Sequence, residues 1–173
     1  LHVWQCTDGM GAEEWFVVNS RETQWFDRGP RGFVASFDSA EREFPQVGIN
    51  LFVLGPGQPM SMYHWEADQE DFLVLSGEAL LIVEGEERPL AQWDFVHTPA
   101  GVPHTIVGAG SGNCVVLAIG ARQHQGGDDW GGYPLDETAA RHDAAAEHET
   151  ASGEEAYARF PKRQPSAYRG WLD

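Results

Sequence analysis

The chain has 173 residues, 42% of them hydrophobic and 12% aromatic, enough to bury a real core in one domain and too apolar for a disordered chain. Its formal net charge is −16, and the excess is concentrated in residues 1–121, where 17 acids face 5 bases, against 10 and 6 in residues 122–173. Such a field repels phosphate backbones and attracts cations, so nucleic acid is excluded as a partner, and no run reaches the roughly 18 apolar residues of a membrane span.

Residues 1–32 read as an N-terminal arm. Its start, LHVWQCTDGM, lacks the basic-then-apolar pattern of a secretory signal, so a cytoplasmic location is expected. Within the arm, EEWFVVN and TQWF read as one or two strands that augment a sheet or swap to a neighbour. Residues 33–121 follow as short β-like runs between turn residues: FVASF, VGINLFVLG, MSMYHWE, DFLVLSG, ALLIVEG, WDFVHTP, HTIVGAG and CVVLAIG. This spacing predicts an all-β sandwich or barrel. The runs Phe72 to Leu75 and Leu80 to Val83 are apolar without alternation, which predicts strands covered on both faces. Glycine and proline corners, among them Gly55-Pro56-Gly57, Ser76-Gly77-Glu78, Glu84-Gly85-Glu86 and Pro99-Ala100-Gly101, end the strands. Residues 122–173 form a C-terminal extension. In it a glycine-rich link precedes a predicted helix from Asp136 to Thr150, and the aromatic end YARFPKRQPSAYRGWLD lies across the outside of the barrel.

The chemistry gathers in two segments. In the run Met-Ser-Met-Tyr-His64-Trp65-Glu66, strand parity projects His64 and Glu66 to one side and Trp65 to the other. Ala67-Asp68-Gln69 then gives enough chain to turn, and Glu70 returns from the next strand onto the same cavity. The second segment, from Trp93 to His104, reverses at Pro99-Ala-Gly-Val-Pro and aims His104 from the start of a strand. Two imidazoles with carboxylates suit one divalent ion of the zinc, manganese, iron, nickel or cobalt kind, and no thiolate is present for a structural cysteine-type zinc site. Glu66 is either a fourth ligand or an acceptor that orients His64. Met60, Met62, Phe72, Val74 and Ile106 share the inward parity and are expected to line the pocket, with His97 either beside them or a plain structural histidine. His2, His124, His142 and His148 read as solvent-exposed, and Cys6 and Cys114 as unpaired.

These two segments resemble the two motifs of the cupin family. His64, Glu70, Gly77, Pro99, Gly101 and His104 match position for position, and the resemblance covers roughly residues 47–121. Glu66 stands where a second histidine is usual, Trp93 replaces the second motif's leading glycine, Gly108 replaces its trailing asparagine, and one extra residue separates Gly57 from His64. The resemblance implies a cupin jelly-roll, a double-stranded β-helix barrel with a partly helical C-terminal tail, holding a divalent metal through His64, Glu66, Glu70 and His104. It implies a metal-dependent isomerase, dioxygenase or lyase acting on a small molecule in the barrel cavity. A non-catalytic ligand-binding or sensing module, or a barrel with a structural metal, are the alternatives. Strands apolar on both faces and outward aromatics such as Trp65 further predict a homodimer, unless the chain's own tail covers that surface.

Overall fold

The computed structural model describes residues 15–38 and 44–172. Its strands are β1 (Trp25–Asp27), β2 (Phe33–Ser36), β3 (Val47–Leu54), β4 (Trp65–Glu66), β5 (Glu70–Ser76), β6 (Ala79–Val83), β7 (Glu86–Leu90), β8 (Phe95–Thr98), β9 (His104–Gly108), β10 (Cys114–Ala121), β11 (Gly131–Gly132) and β12 (Gln164–Ser166). Two short helices, α1 (Glu137–Arg141) and α2 (Gly153–Ala156), belong to the C-terminal extension. No helix among the described residues is long and apolar enough to cross a membrane.

The strands form an all-β jelly-roll of two facing sheets, with a small helical tail. One sheet has the order β12-β1-β2-β3-β10-β5-β8, the other β7-β6-β9, and β11 pairs with β4 separately. The β-branched run CVVLAIGA of β10 occupies the centre of the larger sheet, pairing with β3 from Cys114↔Leu54 to Ala121↔Val47 and with β5 on its other side. Between the sheets lies the main core, built by Leu54, Phe72, Val74, Leu81, Ile106 and Val116 among others. Gly77, with φ 76, turns β5 into β6 where a Cβ would stand 2.5 Å from the Asn113 carbonyl oxygen, so the corner admits only glycine.

Part of each outer face is covered by the chain itself. Trp25, Ala35, Leu51, Val53 and Val115 form a second cluster, over which Tyr168, Trp171 and Leu172 of the tail close. On the smaller sheet Tyr63, Ile82 and Val107 meet Ala139, Ala144 and Ala145 of the extension. The expectation of strands buried on both faces is thus met within one chain. TQWF of the arm becomes β1, while the described part of EEWFVVN, from Trp15 to Asn19, contributes a single β-bridge residue, Val17, and no longer strand.

The helix expected over Asp136 to Thr150 is much shorter. Asp136 caps α1 by accepting from the Ala139 amide at 2.7 Å, but the helix stops at His142, and Asp143 takes a positive φ of 55. Ala144, Ala145 and Ala146 are buried instead, lying flat against the barrel with the Ala144 carbonyl accepting from the Tyr63 amide at 2.6 Å. Their small side chains allow this close approach, so tertiary packing overrides helix propensity. β7 was not expected, because EERPL is polar and carries a proline. Its signal is the two-residue loop Glu84-Gly85, both at positive φ (49 and 78), as a tight hairpin requires. Cys114 is buried and free, and burial pushes its thiol up to about 11; Cys6 and His2 lie outside the described residues.

Candidate metal centre

His64 and His104 sit opposite one another in an antiparallel bridge, the His64 amide donating to the His104 carbonyl at 3.1 Å and the His104 amide to the His64 carbonyl at 2.8 Å. Residues 59–64 therefore run along β9 and extend the smaller sheet, with a further bridge between Pro59 and Val107. Glu70 opens β5 in the larger sheet, paired with Gly120 and Thr98. Sequence reasoning put His64 and Glu70 on adjacent strands; they instead face each other from different sheets, because the turn at 67–69 carries the chain across the barrel. The Pro99–Gly101 corner is pinned beneath them, with Gly101 at φ 80 and its amide donating to the Glu66 carbonyl at 2.8 Å.

Each imidazole is oriented by its own backbone. His64 Nδ1 donates to the Met62 carbonyl and His104 Nδ1 to the Val102 carbonyl, both at 2.9 Å, so that in the neutral rings each Nε2 is a lone pair. Both lone pairs point at one carboxylate oxygen: Glu70 Oε2 lies 3.4 Å from His64 Nε2 and 3.2 Å from His104 Nε2. The ligand atoms of His64, Glu70 and His104 all lie within 4.8 Å of one another. Glu66 reaches His64 Nε2 at 3.6 Å without joining that set. Burial opposes charge on His64, but its contacts to Glu66 and Glu70 outweigh this and hold its pKa well above 6.5. Burial likewise works against the Glu70 carboxylate, and the two histidines prevail, holding it far below the usual carboxylate range.

The donor set fits a divalent cation. Glu70 Oε2 and His104 Nε2 are buried and have no hydrogen-bond partner. With Nδ1 protonated on both rings, acceptor faces acceptor, and only a proton or a cation between them relieves the contact. Nitrogen and oxygen donors without thiolate match zinc, manganese, iron, nickel or cobalt.

Beside the three donors is a cavity of about 340 Å³. Its wall includes His64, Glu66 and Glu70 and, of the expected apolar residues, Met60 and Phe72. Val74 and Ile106 lie in the core between the sheets, without reaching the cavity wall. Met62 is fully buried on the other side, against Tyr133, Ala146 and Ala156, because the segment before His64 bends away from ideal strand parity toward the extension. His97 is a correction. Its side chain is 50% exposed on the outer face of β8 and bonds Asp71 Oδ1 at 2.6 Å, since only Val96 and Thr98 of that strand face inward. His124, His142 and His148 each meet a carboxylate, Asp68, Glu87 and Glu155 respectively, and His142 is half-buried, not open to solvent. Trp65 is also not free, since it lies against Gly131 and Gly132 of β11.

Sequence reasoning missed Arg28, Arg31, Trp130 and Tyr157, which line the same cavity from the arm and the extension. Strand parity within the barrel carries no signal for them. Tyr133, stacked 5.8 Å from His64, is likewise supplied by the extension.

Comparison with known proteins agrees with this architecture. The cupin domain model matches residues 50–120. A cupin-like protein from Thermotoga maritima superposes with a TM-score of 0.54 at 20% identity, over 72% of this chain and 89% of that one. The polyketide cyclase RemF from Streptomyces resistomycificus gives 0.52 at 14% identity, over 61% and 78%. A putative sugar phosphate isomerase from Acidithiobacillus ferrooxidans is 30% identical over 54% of this chain, with a TM-score of 0.48; the match spans 62% of that protein, less than two thirds of its length. No curated protein sequence matches the chain. With the motif histidines and glutamate converging inside a two-sheet jelly-roll, the chain has the cupin fold, and its residues 50–120, which span the strands that carry them, match the cupin domain model.

Proposed function

We propose that the chain holds one divalent ion, zinc, manganese, iron, nickel or cobalt, through His64, Glu70 and His104, and that it acts on a small molecule entering the adjacent cavity. The observation that carries this reading is the pair of orphaned buried atoms, Glu70 Oε2 and His104 Nε2, facing each other with no partner. When bound, such an ion supplies Lewis-acid chemistry. The chain's own residues supply the rest. The Met62 and Val102 carbonyls fix the two imidazoles, Phe72 and Met60 keep one side of the site apolar, and Glu66, at the cavity wall and 3.6 Å from His64, is placed to hold or move a proton. A cavity beside the donors favours this over a purely structural metal, whose site would be closed by side chains.

Manganese-loaded protein tests it through water proton relaxation. Enhanced relaxation, from an ion open to the cavity, is the expected result. A tightly bound ion without enhancement would make the site closed and structural, and failure to take up manganese, zinc, nickel, iron or cobalt would remove the metal reading altogether.

A further inference from the structure

The charged groups around the cavity are equal in number but not all paired. Arg122 bonds Asp38 at 2.6 Å, Asp68 accepts from His124 Nδ1 at 2.7 Å, and Glu66 and Glu70 face His64. Two guanidiniums are left over. Arg28 is only 5% exposed, and its Nη1 donates to the Met60 carbonyl at 2.7 Å while its Nη2 donates to the Arg31 carbonyl. Its Nε is buried without a partner. Arg31 lies over the rings of Tyr157 (4.4 Å) and Phe160 (5.2 Å), its Nε is also buried and unpartnered, and no side-chain hydrogen bond or ion pair to a described residue satisfies it. Neither arginine has a carboxylate within ion-pair distance among the described residues, in a chain with a net charge of −16.

Burying a cation unpaired, as with Arg28, is costly, and the half-buried Arg31 beside it adds a like charge. Desolvation and the neighbouring Arg31 both lower the pKa of Arg28, yet a guanidinium stays charged at neutral pH. The turn that brings the two together is built firmly. Gly32 takes φ 69, a conformation that favours glycine, and the Arg28 amide donates to the Gly32 carbonyl at 2.9 Å. Planar guanidiniums stacked on aromatic rings are pre-organised to bind oxyanions bidentately.

We infer that Arg31, backed by Arg28, is an anion subsite of the cavity, and that the ligand is a small molecule carrying a carboxylate or a phosphate. This deepens the proposed function and rests on its reading of the cavity as a ligand site. The metal donors lie at one part of the wall and the arginines at another, so the ligand presents a neutral oxygen to the first and its oxyanion to the second.

The test uses metal-free full-length protein, in which no ion can hold the anion, and follows the arginine Nε–Hε resonances by nitrogen-resolved NMR during titration with inorganic phosphate and, separately, acetate. Saturable shifts of Arg31 with one or both, absent with chloride at matched ionic strength, are expected, and the tighter of the two identifies the oxyanion class. Arg31→Gln should weaken binding by about tenfold or more, whereas Arg31→Lys should lose less. No saturable shift with either anion, or equal affinity in Arg31→Gln, would overturn the subsite. Zinc added to the same samples separates the two claims: anion binding without zinc uptake removes the metal centre and leaves the subsite, and zinc uptake without anion binding does the reverse.

Discussion

The C-terminal tail holds the arm that carries Arg28 and Arg31, and replacing Trp171 with Ala measures how strongly. Trp25 is fully buried beneath this tail, with the Trp171 ring centroid 4.9 Å from that of Trp25, 4.2 Å from that of Phe33 and 5.6 Å from that of Tyr168. Truncating a fully buried tryptophan costs about 3–5 kcal/mol. Trp171 is half-buried, so roughly half of that applies, plus about 0.5–1.5 kcal/mol for the aromatic geometry. The expected loss is about 2–4 kcal/mol, or about 4–16 °C in Tm for a chain of this size. Urea unfolding followed by circular dichroism reads the change, with Leu135→Ala, 60% exposed, as a control expected within about 0.5 kcal/mol of wild type. A Trp171→Ala variant as stable as that control would show that the tail does not hold the arm.

Three further outcomes are expected. Glu70→Gln should reduce metal affinity by more than about 100-fold, and Glu66→Gln by about 10–100-fold, the range for a residue acting through a ligand; equal affinity of wild type and Glu70→Gln would mean the donor set is wrong. Trp93 holds φ 75 at the position where the family has glycine, a left-handed conformation costing an ordinary residue about 1–2 kcal/mol, against which glycine loses roughly 0.5–1 kcal/mol through chain entropy. Trp93→Gly should therefore be neutral or stabilising by about 1 kcal/mol in thermal unfolding, and a clear destabilisation would contradict the strain argument. Because Trp93 and Phe95 are 67% and 65% exposed beside β8, an edge strand of the larger sheet among the described residues, light scattering at micromolar concentration should find a homodimer, and a monomer would show that the edge stays open.

The barrel was legible because its strands carry their own punctuation. Runs such as CVVLAIG and DFLVLSG are apolar, β-branched and bounded by glycines, and tertiary pairing follows that pattern closely. The convergence of His64, Glu70 and His104 was legible for a similar reason, since their spacing is set by a fixed turn and a Pro-x-Gly corner. Parity failed where the backbone leaves the ideal strand. The segment before His64 is held by isolated bridges, so Met62 turns to the extension, and His97 follows the outward phase of β8. Nothing local could have signalled Arg28 and Arg31, whose place beside residues more than thirty positions away is set by the pairing of β1 with β2 and β12. The alanine run at 144–146 misled for the opposite reason: small side chains serve a helix and a close-packed extended segment equally well, and the barrel surface decided between them.

Isothermal titration of the metal-free protein, run beside His104→Ala, tests the central claim most directly. His104 is 2% exposed and offers a bare Nε2 with no other partner, so its removal takes one of the site's few neutral donors while leaving the outer surface untouched. Wild type should bind about one zinc ion per chain, the stoichiometry of a single three-donor site, and His104→Ala should show no binding at that site. Failure of the wild type to bind zinc, manganese, iron, nickel or cobalt, or unchanged affinity in His104→Ala, would contradict the account.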